Sequence, residues 1–327
     1  MIITYFRSSS YNQWDMCPQS YFINYVLGWP DECINNKADK GTIVHKVLEC
    51  LAKAKLAVQS GEETFEDDIV GIRSVDNYKS DVFVDVMFDE CYKHYINNSN
   101  HYFSSTDRRD CRDWTYLVVG DTFDPRNLDI VCPEFQFDIP IEEDWAKYEY
   151  THDGKIIQGQ LAIKGTVDLV VKVAEDVYEV VDWKTGKKWD WGKDCEKTDE
   201  TLRKDPQLMI YHLASRKLFP QISQCIMTIN FVRFGGPCTF DYTDEDLKKT
   251  KEMLKRRFFE IKSCVMPRLK KSWKCTKLCT YGKNNYPGTD VTICEKIRQT
   301  MSKEGYENCV RQHTYPKFDV NYYEEPG

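Results

Sequence analysis

Residues 165–186 read Gly-Thr-Val-Asp-Leu-Val-Val-Lys-Val-Ala-Glu-Asp-Val-Tyr-Glu-Val-Val-Asp-Trp-Lys-Thr-Gly. Two β-branched runs, 167–173 and 177–183, flank Ala174, Glu175 and Asp176, which predicts an antiparallel hairpin with a short turn. Asp168 lies early in the first run. Asp182 and Lys184 end the second, two residues apart and therefore on one face of the strand. Charged groups at the end of an apolar hairpin are costly to bury unless they pair with one another or with a metal. Two aspartates on adjacent strands offer the hard oxygens that Mg²⁺ or Mn²⁺ prefers. A lysine beside them can polarise an attacking water or stabilise charge developing on a phosphate. The bland alternative is a structural ion-pair set at a strand end.

Working outward, the hairpin sits in sheet territory. Residues 134–139 alternate cleanly, 155–163 lead into the hairpin, and 225–233 form a further strand before a turn at Gly235, Gly236 and Pro237. Helical spacing marks residues 41–59, with Ile43, Val44, Val47, Leu48 and Leu51 on the buried side and His45 among them; taken alone, such a histidine reads as a core residue. Further helices are expected at 80–97, from about 202 to 219, and at 243–263, with polar connections at 60–79 and 98–113. Near the start, residues 8–27 predict two short helices, the second begun by Pro18, which puts Cys17 at their junction. Helix, sheet, helix, strand, helix is the order of an α/β core with helical additions at both ends.

Gln207 and Tyr211 lie four apart on the helix after Lys184 and share a face, placed to grip a phosphodiester or orient the lysine, or simply to form a polar helix edge. Composition is ordinary for a soluble globular chain of 327 residues, with 41% hydrophobic and 30% charged residues, so a small stapled scaffold is excluded. No apolar run approaches the ~20 residues of a membrane span. Residues 1–10 lack a secretory pattern, so the expected location is the cytoplasm, or that of a host if the source is viral.

Of 14 cysteines, Cys33, Cys50, Cys91, Cys111, Cys132, Cys195, Cys225, Cys238 and Cys264 show no ligand-like spacing and read as small hydrophobes. Cys275, Cys279, Cys294 and Cys309 follow as C-x3-C-x14-C-x14-C. These spacings are unlike the tight pairs of common zinc modules but leave zinc open, and iron–sulfur clusters also use four thiolates, with Cys17 or Cys309 as the fourth. The net charge of −7 argues against non-specific coating of nucleic acid, yet residues 248–274 carry a basic run that includes Lys255, Arg256, Lys270 and Lys271. That run is a candidate DNA-backbone surface or a solvated helix face, with Trp189, Trp191 and Trp273 available to stack on bases. A nucleotide P-loop at Lys187 is rejected, because Val181 and Lys188 stand where glycine and Ser/Thr are needed, and no Ser-His-Asp pattern emerges.

Taken together, Ser8-x-Ser10 with Cys17-Pro18 and Tyr21, Gly41-x-x-x-His45, Gly165-x-x-Asp168, Asp182-Trp183-Lys184 and Gln207-x-x-x-Tyr211 form an ordered series. The series resembles the RecB-type branch of the PD-(D/E)xK nucleases, in particular its iron–sulfur members, which include the AddB-type nuclease domain and CRISPR-associated RecB-like exonucleases. The resemblance implies a restriction-endonuclease-like α/β fold, a mixed central sheet flanked by helices, acting on DNA with Mg²⁺ or Mn²⁺. It implies one nuclease domain over 1–327: a helical part at 1–130, the core at 131–263 and a metal-cluster segment at 264–327. His45, Asp168, Asp182 and the Trp183 carbonyl would be metal ligands, and Glu134 matches a less constant acidic position. Lys184 would act on the water or the transition state, and Gln207 and Tyr211 would contact substrate. Cys17, Cys275, Cys279 and Cys294 would hold a [4Fe–4S] cluster, although the family's C-terminal trio is usually more compact. Expected partners are DNA, possible further copies of the chain, or recombination and repair proteins, and no membrane. Repair, recombination, CRISPR adaptation and phage DNA metabolism all use such enzymes. The competing readings are a non-catalytic DNA-binding accessory subunit and a zinc-bound interaction protein.

Overall fold

The computed structural model describes residues 1–31, 36–99, 101–152, 155–190 and 194–315; Cys33 and Trp191 lie outside the described residues. The chain begins with β1 (Tyr5–Phe6), α1 (Ser8–Met16), α2 (Pro18–Tyr21), which runs on into a π-helical turn Phe22–Val26, and α3 (Asn36–Gln59). There follow β2 (Thr64–Asp67), β3 (Gly71–Ser74), α4 (Asp81–Asn98), α5 (Ser105–Val118), β4 (Ile130–Pro140), β5 (Lys147–His152) and β6 (Lys155–Gln160). The predicted hairpin is β7 (Ala162–Ala174) and β8 (Val177–Lys184), after which come β9 (Trp189–Asp190), β10 (Cys195–Glu196), α6 (Asp199–Arg203) and α7 (Pro206–Leu218). The last elements are β11 (Gln224–Phe231), β12 (Gly236–Tyr242), α8 (Asp244–Lys262), α9 (Lys274–Lys277), α10 (Thr280–Lys283) and α11 (Ile293–His313). The chain divides into two compact units: one of Met1–Cys33, Phe137–Gly165 and Lys248–Gly327, the other of Ile34–Gln136 and Thr166–Leu247.

In the second unit β8 is an inner strand. β7 runs antiparallel to it with Val170 opposite Val180, and β11 runs parallel with Ile229 opposite Asp182. β12 continues the sheet antiparallel to β11. An inner strand is covered on both faces, which is why Val180 and Val181 are both fully buried and the run reads as continuous rather than alternating apolar sequence. α3 lays Ile43, Val44, Val47, Leu48 and Leu51 into the core with Leu169, Val171 and Val181 of the sheet, and α4 and α5 pack along it. The result is an α/β fold with a mixed central sheet flanked by helices.

Two stretches expected to be polar connections are ordered elements instead. Residues 98–113 run into α5, begun by a capping box in which Ser104 accepts from the Asp107 amide and Asp107 accepts from Ser104, with Cys111, Trp114 and Val118 on its buried face. Its polar side is tied to the core by Lys40, which reaches Asp107 at 3.0 Å and Asp110 at 2.8 Å. Residues 60–79 contain the β2–β3 hairpin, anchored by the fully buried carboxylate of Asp67, 2.8 Å from Lys46 and 2.6 Å from Lys53. In both places long-range ion pairs, which no local pattern shows, fix the chain.

The first unit gathers the two ends of the chain. β1 pairs in parallel with the first residues of β7, and the Met1 amine donates to the carbonyls of Ile261, Lys262 and Cys264. Arg257 of α8 is buried, donating to Tyr11 O and to Asp15 with its guanidinium 4.0 Å from the Tyr11 ring centre. Among the described residues no helix is long and apolar enough to cross a membrane.

One buried group sets a pH limit on the second unit. His212 of α7 is 1% exposed, with Nδ1 lacking a hydrogen-bond partner among the described residues, and burial, helped by the Arg216 charge, lowers its pKa to about 4. The folded chain therefore resists a proton that the unfolded chain accepts near pH 6.5. Stability from this site is complete above about 6.5 and is lost as pH falls towards about 4, at up to ~1.4 kcal/mol per pH unit. Thermal unfolding at pH 7, 5.5 and 4.5 should show a fall in midpoint that is shallower in His212→Phe.

Candidate active site

Asp182 occupies the C-terminal end of β8, where its neighbours on β7 and β11 leave it 1% exposed. Its Oδ1 accepts from Gln207 Nε2 at 2.8 Å. Its Oδ2 forms an ion pair with Lys184 Nζ at 2.7 Å. Burial first, and then the nearby Asp168 charge, raise the Asp182 pKa to about 6 despite Lys184. For Lys184, burial alone would lower the pKa; Asp182 and Asp168 outweigh it, and the ammonium is held charged.

Asp168 of β7 accepts the backbone N–H of Trp183 at 2.8 Å and faces His45 Nδ1 at 3.3 Å. Burial would lower the His45 pKa, but the Asp168 carboxylate and, further off, Asp182 raise it on balance. Glu134 completes this side: one ligand atom each from His45, Glu134 and Asp168 lie within 4.8 Å of one another. Glu134 adopts φ +43, a conformation uncommon for a residue with a side chain. Burial, and next Asp168, raise its pKa to about 7. Three carboxylates crowded with one imidazole repel one another, and a divalent cation is the partner that relieves them. The hard N/O donor set of His45, Glu134 and Asp168 fits Mg²⁺ or Mn²⁺.

α7 owes its position to Asp205, which caps it by accepting the Gln207 amide at 3.0 Å, and to Pro206 at its first turn. The single helix expected from about residue 202 is thus two, α6 and α7, parted at Asp205-Pro206. This start aims Gln207 at Asp182, while Gln207 also donates to Tyr211 Oη at 2.8 Å and Tyr211 Oη donates to Thr166 O at 2.5 Å. Tyr211 is buried, so in this geometry the pair braces Asp182 from behind. Asp205, whose charge also raises the Lys184 pKa, was not singled out in the sequence; Asp-Pro ahead of an apolar helix was its signal.

In the first unit, Cys17, Cys275, Cys279 and Cys294 line one cavity of about 340 Å³. Burial first, then the proximity of the other three thiols, pushes Cys294 up to about 12. The close turn here requires Gly282, because a Cβ would run into the Cys275 carbonyl. Cys309 lies elsewhere, buried and donating its thiol to Ile297 O. Four thiols lining one cavity are a soft donor set of the type an iron–sulfur cluster uses, although no three of their sulfurs lie within 4.8 Å of one another, wider than one tetrahedral zinc would need.

The basic run is less uniform than its composition. Arg256, Lys270 and Lys271 are exposed and Lys255 is half-buried, but Arg257 is committed to Tyr11 and Asp15, Lys251 pairs with Glu143, and Lys270 donates to Asp15 O. Trp273 is exposed and Trp189 half-buried.

A family model described as the PD-(D/E)XK nuclease superfamily matches residues 8–283. Among solved structures, one described as "Putative exonuclease" from Eubacterium rectale is similar at 14% identity, covering 90% of this chain and 92% of that chain with a TM-score of 0.44. No curated protein matches.

If the carboxylate cluster holds a divalent ion, saturating Mn²⁺ should raise the thermal midpoint of the full chain by several degrees, on the order of 2–3 kcal/mol at one hundred times Kd. Asp168→Asn and Asp182→Asn should each lose most of that shift. An unchanged shift in both would place the ion elsewhere.

Proposed function

Since the chain belongs to the PD-(D/E)XK nuclease superfamily, we propose that it is a Mg²⁺- or Mn²⁺-dependent, RecB-like DNA exonuclease that hydrolyses phosphodiesters at Asp168, Asp182 and Lys184. The observation that carries this reading is the pairing of a buried Asp182 carboxylate with a charged Lys184 at 2.7 Å. His45, Asp168, Asp182 and the Trp183 carbonyl, with Glu134 beside them, would hold the ion, which when bound supplies Lewis acidity and an acidified water. The remaining work falls to side chains. Lys184 carries its positive charge to the phosphate, where it stabilises the added negative charge of the transition state. The Trp183 amide keeps Asp168 oriented, and Gln207, braced by Tyr211, keeps one Asp182 oxygen occupied so that the other faces the site.

Full-length protein with Mn²⁺ should degrade end-labelled linear DNA and spare closed circles. Lys184→Ala should slow cleavage by about 10²–10³-fold. Retention of activity in that variant would remove Lys184 from the chemistry. An inert parent that still binds DNA would make the chain an accessory subunit.

On the same reading, Cys17, Cys275, Cys279 and Cys294 carry a [4Fe–4S] cluster that ties the start of the chain to its C-terminal segment. Anaerobically purified protein should be coloured and contain iron and sulfide, and Cys279→Ser should be bleached and less stable. A colourless protein with stoichiometric zinc would assign the thiols to zinc.

A further inference from the structure

Beyond the carboxylate cluster, the C-terminal ends of β8 and β11 carry a second group of side chains. Phe231 pairs with Lys184 in the register of these parallel strands, and Val232 N donates to Lys184 O at 3.1 Å. The next two residues, Arg233 and Phe234, therefore emerge beside the lysine. Phe234 is 60% exposed. It precedes a turn through Gly235 and Gly236, both at positive φ, and a Cβ on Gly235 would come within 2.9 Å of the Lys188 side chain. Glycine is thus required there, and the turn holds Phe234 in place.

An exposed aromatic ring is by itself ordinary. Its surroundings are not. Lys187 Nζ stands 5.2 Å from the Phe234 ring centre, and the Arg233 guanidinium lies 4.2 Å from that of Trp114 while donating to Thr185 O. Neither cation has a carboxylate partner among the described residues, whereas Lys184, Lys188 and Arg203 close by in the sequence each pair with one. An exposed ring with an exposed lysine beside it that has no carboxylate partner among the described residues complements a polyanion that also presents flat aromatic faces.

The geometry points to unpaired DNA as the occupant: Phe234 is a stacking platform for a single-stranded base, with Lys187 beside it holding a flanking phosphate. This deepens, and rests on, the nuclease reading of the adjacent Lys184 site. A paired base inside a duplex hides its faces in the stack, so the platform favours single-stranded DNA and overhangs over blunt ends.

The test is binding of fluorescent oligonucleotides to the full chain without added divalent metal, comparing a single strand with a blunt duplex, alongside cleavage by the unsubstituted chain with Mn²⁺. Phe234→Ala and Phe234→Leu should each weaken single-strand binding about 10- to 100-fold and change duplex binding by less than about twofold, with Phe234→Trp restoring it. Single-strand binding unchanged in both variants, or strand and duplex weakened alike, overturns the platform while cleavage by the parent leaves the nuclease reading intact. A parent that neither binds nor cuts DNA overturns both.

Discussion

The burial of Asp182 governs this site. A carboxylate at the end of an inner strand, with sheet on both sides, has given up its water and must be compensated by what the protein places around it. One oxygen is satisfied by Gln207, and the other forms an ion pair with Lys184 two residues on. Burial still outweighs these partners, raises the acid's pKa and marks the place where a divalent ion has most to gain. The rest of the second unit can be read as what holds this imbalance in place.

Each support is local and cheap. The hairpin turn sets β7 against β8 so that the Trp183 amide meets Asp168, and the Asp205 cap fixes where α7 begins and hence where Gln207 points. α3, pinned by its apolar face, delivers His45 to Asp168 without spending a loop on it. Glu134 arrives from β4 in a backbone conformation that costs energy, which is the kind of strain found where chemistry sets the geometry. Thus α3, β4 and β7 bring His45, Glu134 and Asp168 together, while β8 and α7 bring Lys184 and Gln207 to Asp182.

The hairpin, the α3 helix and the Asp182-Trp183-Lys184 end were legible because period and burial agree in them: a β-branched run with three charged interruptions has few other uses. The Gln207–Tyr211 spacing was equally visible, although its hydrogen bonds to Asp182 and Thr166 were not. What stayed hidden rests on tertiary partners. α5 looks polar in sequence because Lys40 lies about seventy positions from its acids, and the β2–β3 hairpin looks like a loop because Asp67 is balanced by lysines of α3. Grouping Cys17 with Cys275, Cys279 and Cys294 comes from the resemblance and not from spacing, since no spacing rule spans that separation, and the four do line one cavity. Phe234 was passed over because a lone phenylalanine beside a glycine turn carries no pattern.

On the proposed reading, Asp182 would serve the ion and Lys184 the phosphate. The most direct test is calorimetric titration of Mn²⁺ into Lys184→Ala and Asp182→Asn, set against the DNA cleavage of the same preparations. Lys184→Ala should bind Mn²⁺ at least as tightly as the unsubstituted protein, the competing ammonium having gone, and yet fail to cut, while Asp182→Asn should lose both. Loss of Mn²⁺ binding in Lys184→Ala, or full cleavage by either variant, would contradict it.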